Sequence, residues 1–540
     1  MKITVNENQE TYPLIKIFDF NENENCFLYD ARVNTILSLS LEEKEIVLSH
    51  MKIGHFECNT TKKEEFVKKL NCSGFLIKGN TLQIKEPTFL NIDKIMEEAK
   101  FNAIPKKLVL ELTNNCNLRC TYCGYTINEK KKQGKSHGSN VLSFKNAKIA
   151  ISNYLLEYTL LIDKLQDHNG LLTHNPPNIS FYGGEALIVF GLLKEIVNYI
   201  KENCKNYDKI KYDDILISLT TNGTLITSEI ADFLIKENIY VTISLDGPPI
   251  ENDKNRVFRN GEGTGKIVEN VFEMLKKKSI NYYKNRVKIQ AVVAPNYNHE
   301  VVGDYFFQKS IDGKFSGANL FEYLEYTDFS SSKNNDEHKV NSNISDNSFI
   351  DYINTFDYKS LTDEELVEKL TFYPAFNNRL TKIFEFYNRL SNNPSIEIKK
   401  FNTCYIGKTQ LFVDSESNFH LCERSDFSMP IGSIENGKDI RKIRKMYAEY
   451  LEVMNSTKCK NCWVFNFCPI CIGMLIKDGR ITTPSNGTCV DIINFTSVVL
   501  KDLLIIITSY PRIFELMMKS YNTNDKLYIE YNNKDISQAQ

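Results

Sequence analysis

The sequence predicts an α/β fold: a partial (β/α)6 TIM-like barrel with a small unit ahead of it and a cysteine-rich region behind it. Three observations predict this. After Pro105 the chain alternates six times between short, apolar, β-branched runs and runs of helical period. The first hundred residues follow another rhythm, three strand-like runs and then two helical ones. Ten of the fourteen cysteines fall in two groups, three at 116–123 and seven at 404–489.

In the leading unit "YPLIKIFDF", "CFLYDA" and "NTILSLS" read as strands around the turn "NENEN", and "LEEKEIVLSHM" and "KKEEFVKKL" as helices. That pattern fits a winged-helix-like domain over 1–100. The barrel strands are "KLVLELT", "NISFYGG", "ILISLTTNG", "IYVTISLDG", "VKIQAVVAP" and "LFEYLEYTD", separated by helical patterns such as "LLKEIVNYIKEN" and "IVENVFEMLKKK". Such alternation specifies parallel strands with right-handed crossovers, and six units without a switch point favour an incomplete barrel over a doubly wound sheet. Chemistry in such folds sits at the C-terminal strand ends. The barrel is expected over 101–327, and a linker or bridging region over 328–400, beginning with the polar, low-complexity run Asp328 to Asn347. The region 401–500 reads as turn-rich and poor in helix pattern. Over 501–540 a C-terminal helix and tail are expected, because "VVLKDLLIIITSY" is broken by Lys501 and Asp502 and stopped by Pro511. It is too interrupted for a membrane span.

Composition narrows the function. An apolar fraction of 42% supports globular folding, and a formal charge of −2 gives no reason to expect nucleic acid. The start "MKITVNENQE" has neither the basic nor the apolar region of a secretory signal, so a reducing cytoplasm is expected. There, fourteen cysteines are not a disulfide framework. Cys26, Cys58, Cys72 and Cys204 are scattered and read as buried small hydrophobes. The two groups need a metal.

The first group, "CNLRCTYC", places Cys116, Cys120 and Cys123 directly after the first barrel strand. At this cysteine frequency such a triplet arises by chance about 0.01 times in the chain. Structural zinc would want a fourth ligand nearby, and only His137, in a lysine-rich stretch, is close. Three thiolates on a loop suit a cubane iron–sulfur cluster with one iron left open.

These residues resemble the C-x3-C-x-aromatic-C signature of the radical S-adenosylmethionine (SAM) enzymes, with Tyr122 at the aromatic position. The resemblance implies a 4Fe–4S cluster on Cys116, Cys120 and Cys123 whose open iron is chelated by SAM. "FYGGEAL" resembles the family's G-G-E-P motif, with Ala186 in place of proline, and implies cofactor contacts from Tyr182, Gly183, Gly184 and Glu185. "TTNGT" and "SLDGPP" resemble SAM-contacting strand ends, implying Asn222, Ser244 and Asp246. "NRVFRNGEGTG" resembles a stretch of peptide-modifying members in which an arginine, Arg256 or Arg259, pairs with the SAM carboxylate.

The second group centres on "CKNCWVFNFCPIC". A gap of five is short for a zinc ribbon, and seven thiols exceed the four that one zinc takes. The set resembles the SPASM extension of radical SAM peptide maturases, which carries auxiliary 4Fe–4S clusters. The resemblance implies one cluster on Cys459, Cys462, Cys468 and Cys489 and another on Cys404, Cys422 and Cys471, whose vacant iron suits a substrate thiolate. Two departures stand out: Ser417 replaces a glycine, and the last internal spacing is two residues instead of three. Glu423 lies where sulfatase-maturing members place a catalytic aspartate, and Trp463 is expected to pack against its own knuckle.

The reading that follows is a radical SAM/SPASM maturase of a ribosomally synthesised precursor peptide. Its leader would add as a strand to the N-terminal sheet, as in the recognition elements this domain resembles. A flavodoxin- or ferredoxin-type reductant is implied; no membrane partner is. The expected product is a Cys sulfur-to-carbon thioether, as in the makers of sactipeptides and ranthipeptides. Carbon–carbon crosslinking and formylglycine formation in a sulfatase are the alternatives within the family. A non-enzymatic iron–sulfur carrier or zinc scaffold is the alternative outside it.

Overall fold

The computed structural model describes residues 14–20, 25–53, 61–75, 105–126, 136–166, 176–293, 296–298, 301–302, 305–306, 308–309, 322–325, 350, 353–354, 356–372, 374–390, 404, 406–407 and 409–519. The turn "NENEN", apart from its last residue, the run Asp328 to Asn347 and Cys58 lie outside them.

The N-terminal unit is an antiparallel meander, β1 (Ile15–Phe20), β2 (Asn25–Asp30) and β3 (Thr35–Leu39), followed by α1 (Leu41–Ile53) and α2 (Thr61–Cys72). Ser40 and Glu43 cap α1 reciprocally: Ser40 N donates to the Glu43 carboxylate at 2.8 Å and Glu43 N to Ser40 Oγ at 3.3 Å. Alternation along β2 sorts its side chains. Cys26 and Leu28 pack with Ile46, Val47, Phe66 and Leu70 of the two helices, while Phe27 and Tyr29 face the other way and join the main core. The sheet is thus apolar on both faces.

The six expected barrel strands all form: β4 (Leu108–Thr113), β5 (Asn178–Gly183), β6 (Leu216–Thr221), β7 (Tyr240–Ser244), β8 (Val287–Val293) and β9 (Glu322–Glu325). They are parallel and adjacent in chain order, with no switch point. Helices α3 (Phe144–Gln166), α4 (Phe190–Cys204), α5 (Ser228–Lys236) and α6 (Gly265–Lys278) connect them. The central strand β4 is buried at every position, as expected of a strand covered on both faces.

Beyond the barrel the sequence reading needs correction. The region 328–400 contains two helices, α7 (Asp363–Phe372) and α8 (Pro374–Arg389). The cysteine-rich region is not poor in helix: it holds α9 (Ile440–Met454) and α10 (Asn486–Ser509), and α8 packs against α10. Amphipathic α9 buries Ile443, Met446, Tyr447, Tyr450 and Val453, a spacing of three and four that the cysteine count obscured. This region also extends the barrel sheet. Strand β10 (Leu411–Val413) pairs in parallel with β4, Leu411 opposite Leu108, and β11 (Asn418–His420), β12 (Gly432–Ser433) and β13 (Gly437–Lys438) follow antiparallel. Of the scattered cysteines, Cys26 and Cys204 are buried as expected, but Cys72 is exposed. Among the described residues, no helix is long and apolar enough to cross a membrane.

Candidate active site and cysteine centres

The loop after β4 carries Cys116, Cys120 and Cys123, and three neighbouring strand ends hold it. From β5, Gly184 N donates to Thr113 O and Glu185 N to Asn115 O, both at 2.8 Å. A Cβ at Gly184 would stand 2.3 Å from Asn115 O, and one at Gly183 would stand 2.4 Å from Thr113 O. The paired glycines therefore let the cysteine loop lie directly on the end of β5. From β6, Asn222 Nδ2 donates to Asn117 Oδ1 at 2.9 Å and lies 3.9 Å from Cys116 Sγ, while Asn117 Nδ2 donates to Thr224 Oγ1 at 2.8 Å. From beyond β7, Val257 O accepts from Arg119 N at 2.8 Å and Asn255 O from Thr121 N at 3.1 Å.

The three thiols share one small apolar cluster with Leu118, Tyr122 and Phe258. Burial pushes the Cys116 and Cys120 thiols up to about 12; Glu185 adds to the rise at Cys116, and Arg256 opposes it at Cys120. Cations in the site are what would hold such thiols ionised. Leu118 N already donates to Cys116 Sγ at 3.4 Å. Buried sulfur ligands, one loop and a backbone donor fit an iron–sulfur cluster. His137 turns away from this use, stacking on Tyr125 at 5.3 Å.

The other sequence candidates separate. Glu185 is buried, and its carboxylate accepts from Leu187 N at 3.0 Å, Thr221 Oγ1 at 2.8 Å and Asn222 N at 2.7 Å. It orients the end of β6, and Asn222 with it. Asp246 and Arg256, both expected at the cofactor, pair with each other: Arg256 Nε lies 2.9 Å from Asp246 Oδ2, and both are buried. Asp246 also accepts from Tyr122 Oη, from Tyr297 Oη at 2.7 Å and from Val292 N at 2.8 Å. Four protein groups thus hold its carboxylate, three of them at Oδ2. Arg256 lies 5.4 Å from the Tyr122 ring and so fixes the aromatic position of the cysteine motif. Arg259, the alternative, is exposed and donates from Nη2 to Asn115 Oδ1 and Cys116 O, both at 3.2 Å. Ser244 is half-buried at the end of β7.

Glu111 escaped the sequence reading, although a carboxylate inside a strand this apolar is itself a signal. It accepts from Tyr125 Oη and from Ser415 N and Oγ, both at 2.9 Å, and so ties the cysteine loop to the β10–β11 turn. Tyr182 stands at the same junction. Burial raises its pKa well above the usual phenol range, with Glu423 and Cys123 adding to the rise. Its ring meets Phe412 of β10 edge-on at 6.1 Å. Glu423 accepts from Gln410 Nε2 at 2.6 Å. Tyr182 thus has the first cysteine group on one side and the carboxylate beside Cys422 on the other.

The C-terminal thiols gather in two sets. A Cβ at Gly473 would lie 3.8 Å from Cys471 Sγ and 3.9 Å from Cys422 Sγ, so bare backbone faces both sulfurs. Cys404, exposed, bears electrostatically on Cys471. In the other set Cys459, Cys462 and Cys489 all bear on Cys468, whose thiol burial pushes up to about 12. Cys489 enters from the first turn of α10. Backbone amides of Val464 and Ile470 favour the ionised thiols of Cys462 and Cys468 against burial, and those of Arg424 and Met474 do so for Cys422 and Cys471. Donors of this kind suit sulfur ligands of a cluster. No group of three or more His, Cys, Asp or Glu among the described residues closes to the spacing of a single-ion site.

Ser417, where the pattern wanted glycine, has φ +75° in the β10–β11 turn. Glycine would suit that turn, and the serine keeps it with its hydroxyl accepting from Asn146 Nδ2 at 2.7 Å. Trp463 is buried as expected, but it packs against Phe18 and Tyr29 of the N-terminal sheet, at 6.3 and 6.2 Å.

A three-thiol loop at the C-terminal ends of parallel strands, walled by a glycine pair and polar strand ends, is an arrangement that fits an iron–sulfur cluster beside a bound cofactor. Residues 110–306 match the Radical SAM superfamily, and the chain is similar to SPASM-type peptide and sulfatase maturases. It is 24% identical over 399 residues to the radical SAM cyclopropyl synthase TigE of Paramaledivibacter caminithermalis, covering 71% of each chain. It is 31% identical over 211 residues to a cysteine-type anaerobic sulfatase-maturating enzyme of Clostridium novyi, covering 38% of this chain and 49% of that one. An uncharacterized protein of Methanocaldococcus jannaschii is 37% identical over 157 residues, 29% of this chain and 44% of its own. The matches above 30% identity thus span about half of those relatives or less. A structure of native anSMEcpe with bound AdoMet and a Cp18Cys peptide shares the fold at 18% identity, with a TM-score of 0.51, covering 76% of this chain and 99% of that one.

Proposed function

We propose that this enzyme matures a ribosomal precursor peptide by closing a bond from a cysteine sulfur to a substrate carbon. When bound, the reduced cluster on Cys116, Cys120 and Cys123 with SAM supplies a 5′-deoxyadenosyl radical that removes one substrate hydrogen. The observation that carries the reading is the division of the C-terminal thiols into a set of four and a set of three. The set of three contains the exposed Cys404 and stands next to Glu423. Three protein thiolates leave an iron for a substrate thiolate. Closing the thioether forms one C–S bond, and the thiol proton and one electron leave the substrate; Cys404, Cys422 and Cys471 would hold an auxiliary cluster, which would supply the acceptor for that electron. In this reading Glu423, held by Gln410, receives the proton. The N-terminal meander supplies edges for a leader peptide, which favours a peptide over a sulfatase.

Carbon–carbon bond formation is the second reading, favoured by the likeness to a cyclopropyl synthase over 71% of the chain. One assay separates the two. A candidate cysteine-bearing precursor peptide is turned over anaerobically with SAM and reductant, alkylated, and weighed. Loss of two hydrogens with one alkylatable thiol gone supports the thioether. The same loss with every thiol still alkylated supports carbon–carbon closure.

A further inference from the structure

A buried carboxylate inside an apolar strand is costly unless its oxygens are taken up by hydrogen bonds. Glu111 on β4 is such a group, with only 2% of its surface exposed. Leu108, Leu110 and Leu112 of the same strand join the main core, so by alternation Glu111 lies on the opposite face, beside Tyr182 of β5. Among the described residues its hydrogen-bond partners are all donors: Tyr125 Oη at one oxygen, and Ser415 N and Oγ, both at 2.9 Å, at the other.

These donors come from both cysteine regions. Tyr125 is buried two residues after Cys123. Ser415 is buried and follows Asp414, which accepts from Asn418 N at 2.8 Å and has His420 Nε2 2.7 Å from its other oxygen. His420 is buried, stacks on Phe427 at 4.1 Å, and stands two residues before Cys422. The pairing of β10 with β4 ends at Val413 opposite Leu110. Past that pair the sheet no longer joins the two chains, and the Glu111 carboxylate does. A parallel bridge, from Asn140 Nδ2 to Glu416 Oε1 at 2.7 Å, lies in water, which competes for both groups.

We infer that Glu111 is a positioning residue: it fixes the loop of Cys116, Cys120 and Cys123 against the turn that leads to Cys422, and so sets the span over which a substrate carbon and a substrate sulfur are brought together. The inference rests on the thioether reading above. A misplacement of about 1 Å can cost roughly a hundredfold where two sites must act on one bond. With the span loosened, SAM is split and the bond is not closed.

The test takes two readings on reconstituted full-length protein. Glu111→Leu keeps a branched side chain and removes the acceptor. Glu111→Gln keeps both ends, with Oε1 accepting from Ser415 and Nε2 donating to Tyr125 Oη. Tyr125→Phe removes one hydroxyl and cuts the tie on the loop side only. In hydrogen exchange read by mass spectrometry, peptides over 411–422 should exchange roughly tenfold faster in Glu111→Leu and about threefold faster in Tyr125→Phe, with Glu111→Gln at the wild-type rate. In turnover with SAM, reductant and a candidate cysteine-bearing precursor, product per deoxyadenosine should fall roughly tenfold in Glu111→Leu and about threefold in Tyr125→Phe, and recover in Glu111→Gln. Unchanged exchange over 411–422 in Tyr125→Phe, or an unmoved product ratio in the two disruptive variants, overturns the positioning role. Wild type that splits SAM and closes no thioether overturns the reading beneath it, while the exchange rates, which need no precursor, still decide whether Glu111 ties the two regions.

Discussion

The two cysteine regions solve the same problem in opposite ways. Cys116, Cys120 and Cys123 occupy eight consecutive residues, and the barrel comes to them: β5, β6 and the segment after β7 each bond to the loop. The C-terminal thiols come from the stretch after 400, the β11 turn, the knuckle at 459–471 and the first turn of α10. In the first region the ligands are local and their support is long-range. In the second the ligands themselves are long-range, so the fold has to form before a site exists.

The sharpest way to break this comparison is to remove ligands. Cys116→Ala/Cys120→Ala/Cys123→Ala should abolish 5′-deoxyadenosine formation from SAM and lower reconstituted iron from about twelve to about eight per chain. Cys422→Ala should leave deoxyadenosine formation standing while product falls more than tenfold. Chromatography of both products checks the pair, and equal loss in the two variants would erase the distinction between the regions.

A smaller effect is expected from the support. Gly184→Ala places a methyl against Asn115 O, and overpacking of this kind costs about 1–3 kcal/mol. Thermal unfolding should show that loss, together with reduced iron at the first site and unchanged iron at the other two. The smallest effect belongs to Ser417→Gly. Glycine relieves a left-handed backbone at φ +75° and forfeits the Asn146 contact, so the two nearly cancel and stability should move by less than about 1 kcal/mol. A denaturant midpoint measures it.

The barrel was legible because each strand is a compact apolar run with a periodic helix behind it, a signal contained within about ten residues. The first cysteine group was legible for the same reason. What holds Asp246 was not legible, because Tyr297 and Val292 lie far along the chain and nothing in "SLDGPP" points to them. The docking role of Trp463 was hidden likewise: Phe18 and Tyr29 are more than four hundred residues away in sequence. Glycines 183 and 184 were read as making room for a ligand, whereas they also make room for the cysteine loop, and only the backbone geometry tells those needs apart. The amphipathic spacing of α9, Ile443, Met446, Tyr447, Tyr450 and Val453, is the local signal of helix in the C-terminal region, and it lies between the cysteines that mark that region as turn-rich.

The parallel pairing of β10 with β4 has a consequence for how this chain is made. Strand β4 is the first barrel strand to leave the ribosome, yet one of its two neighbours begins only at Leu411. Until then its outer edge offers unpaired amides and carbonyls to any other strand it meets. Contacts this distant in sequence form slowly, and intermediates with open edges are the ones that aggregate. A nascent chain arrested before Leu411 therefore contains the whole radical-generating barrel and cannot close it, so expressing that half alone should yield inclusion bodies where the full chain yields folded enzyme.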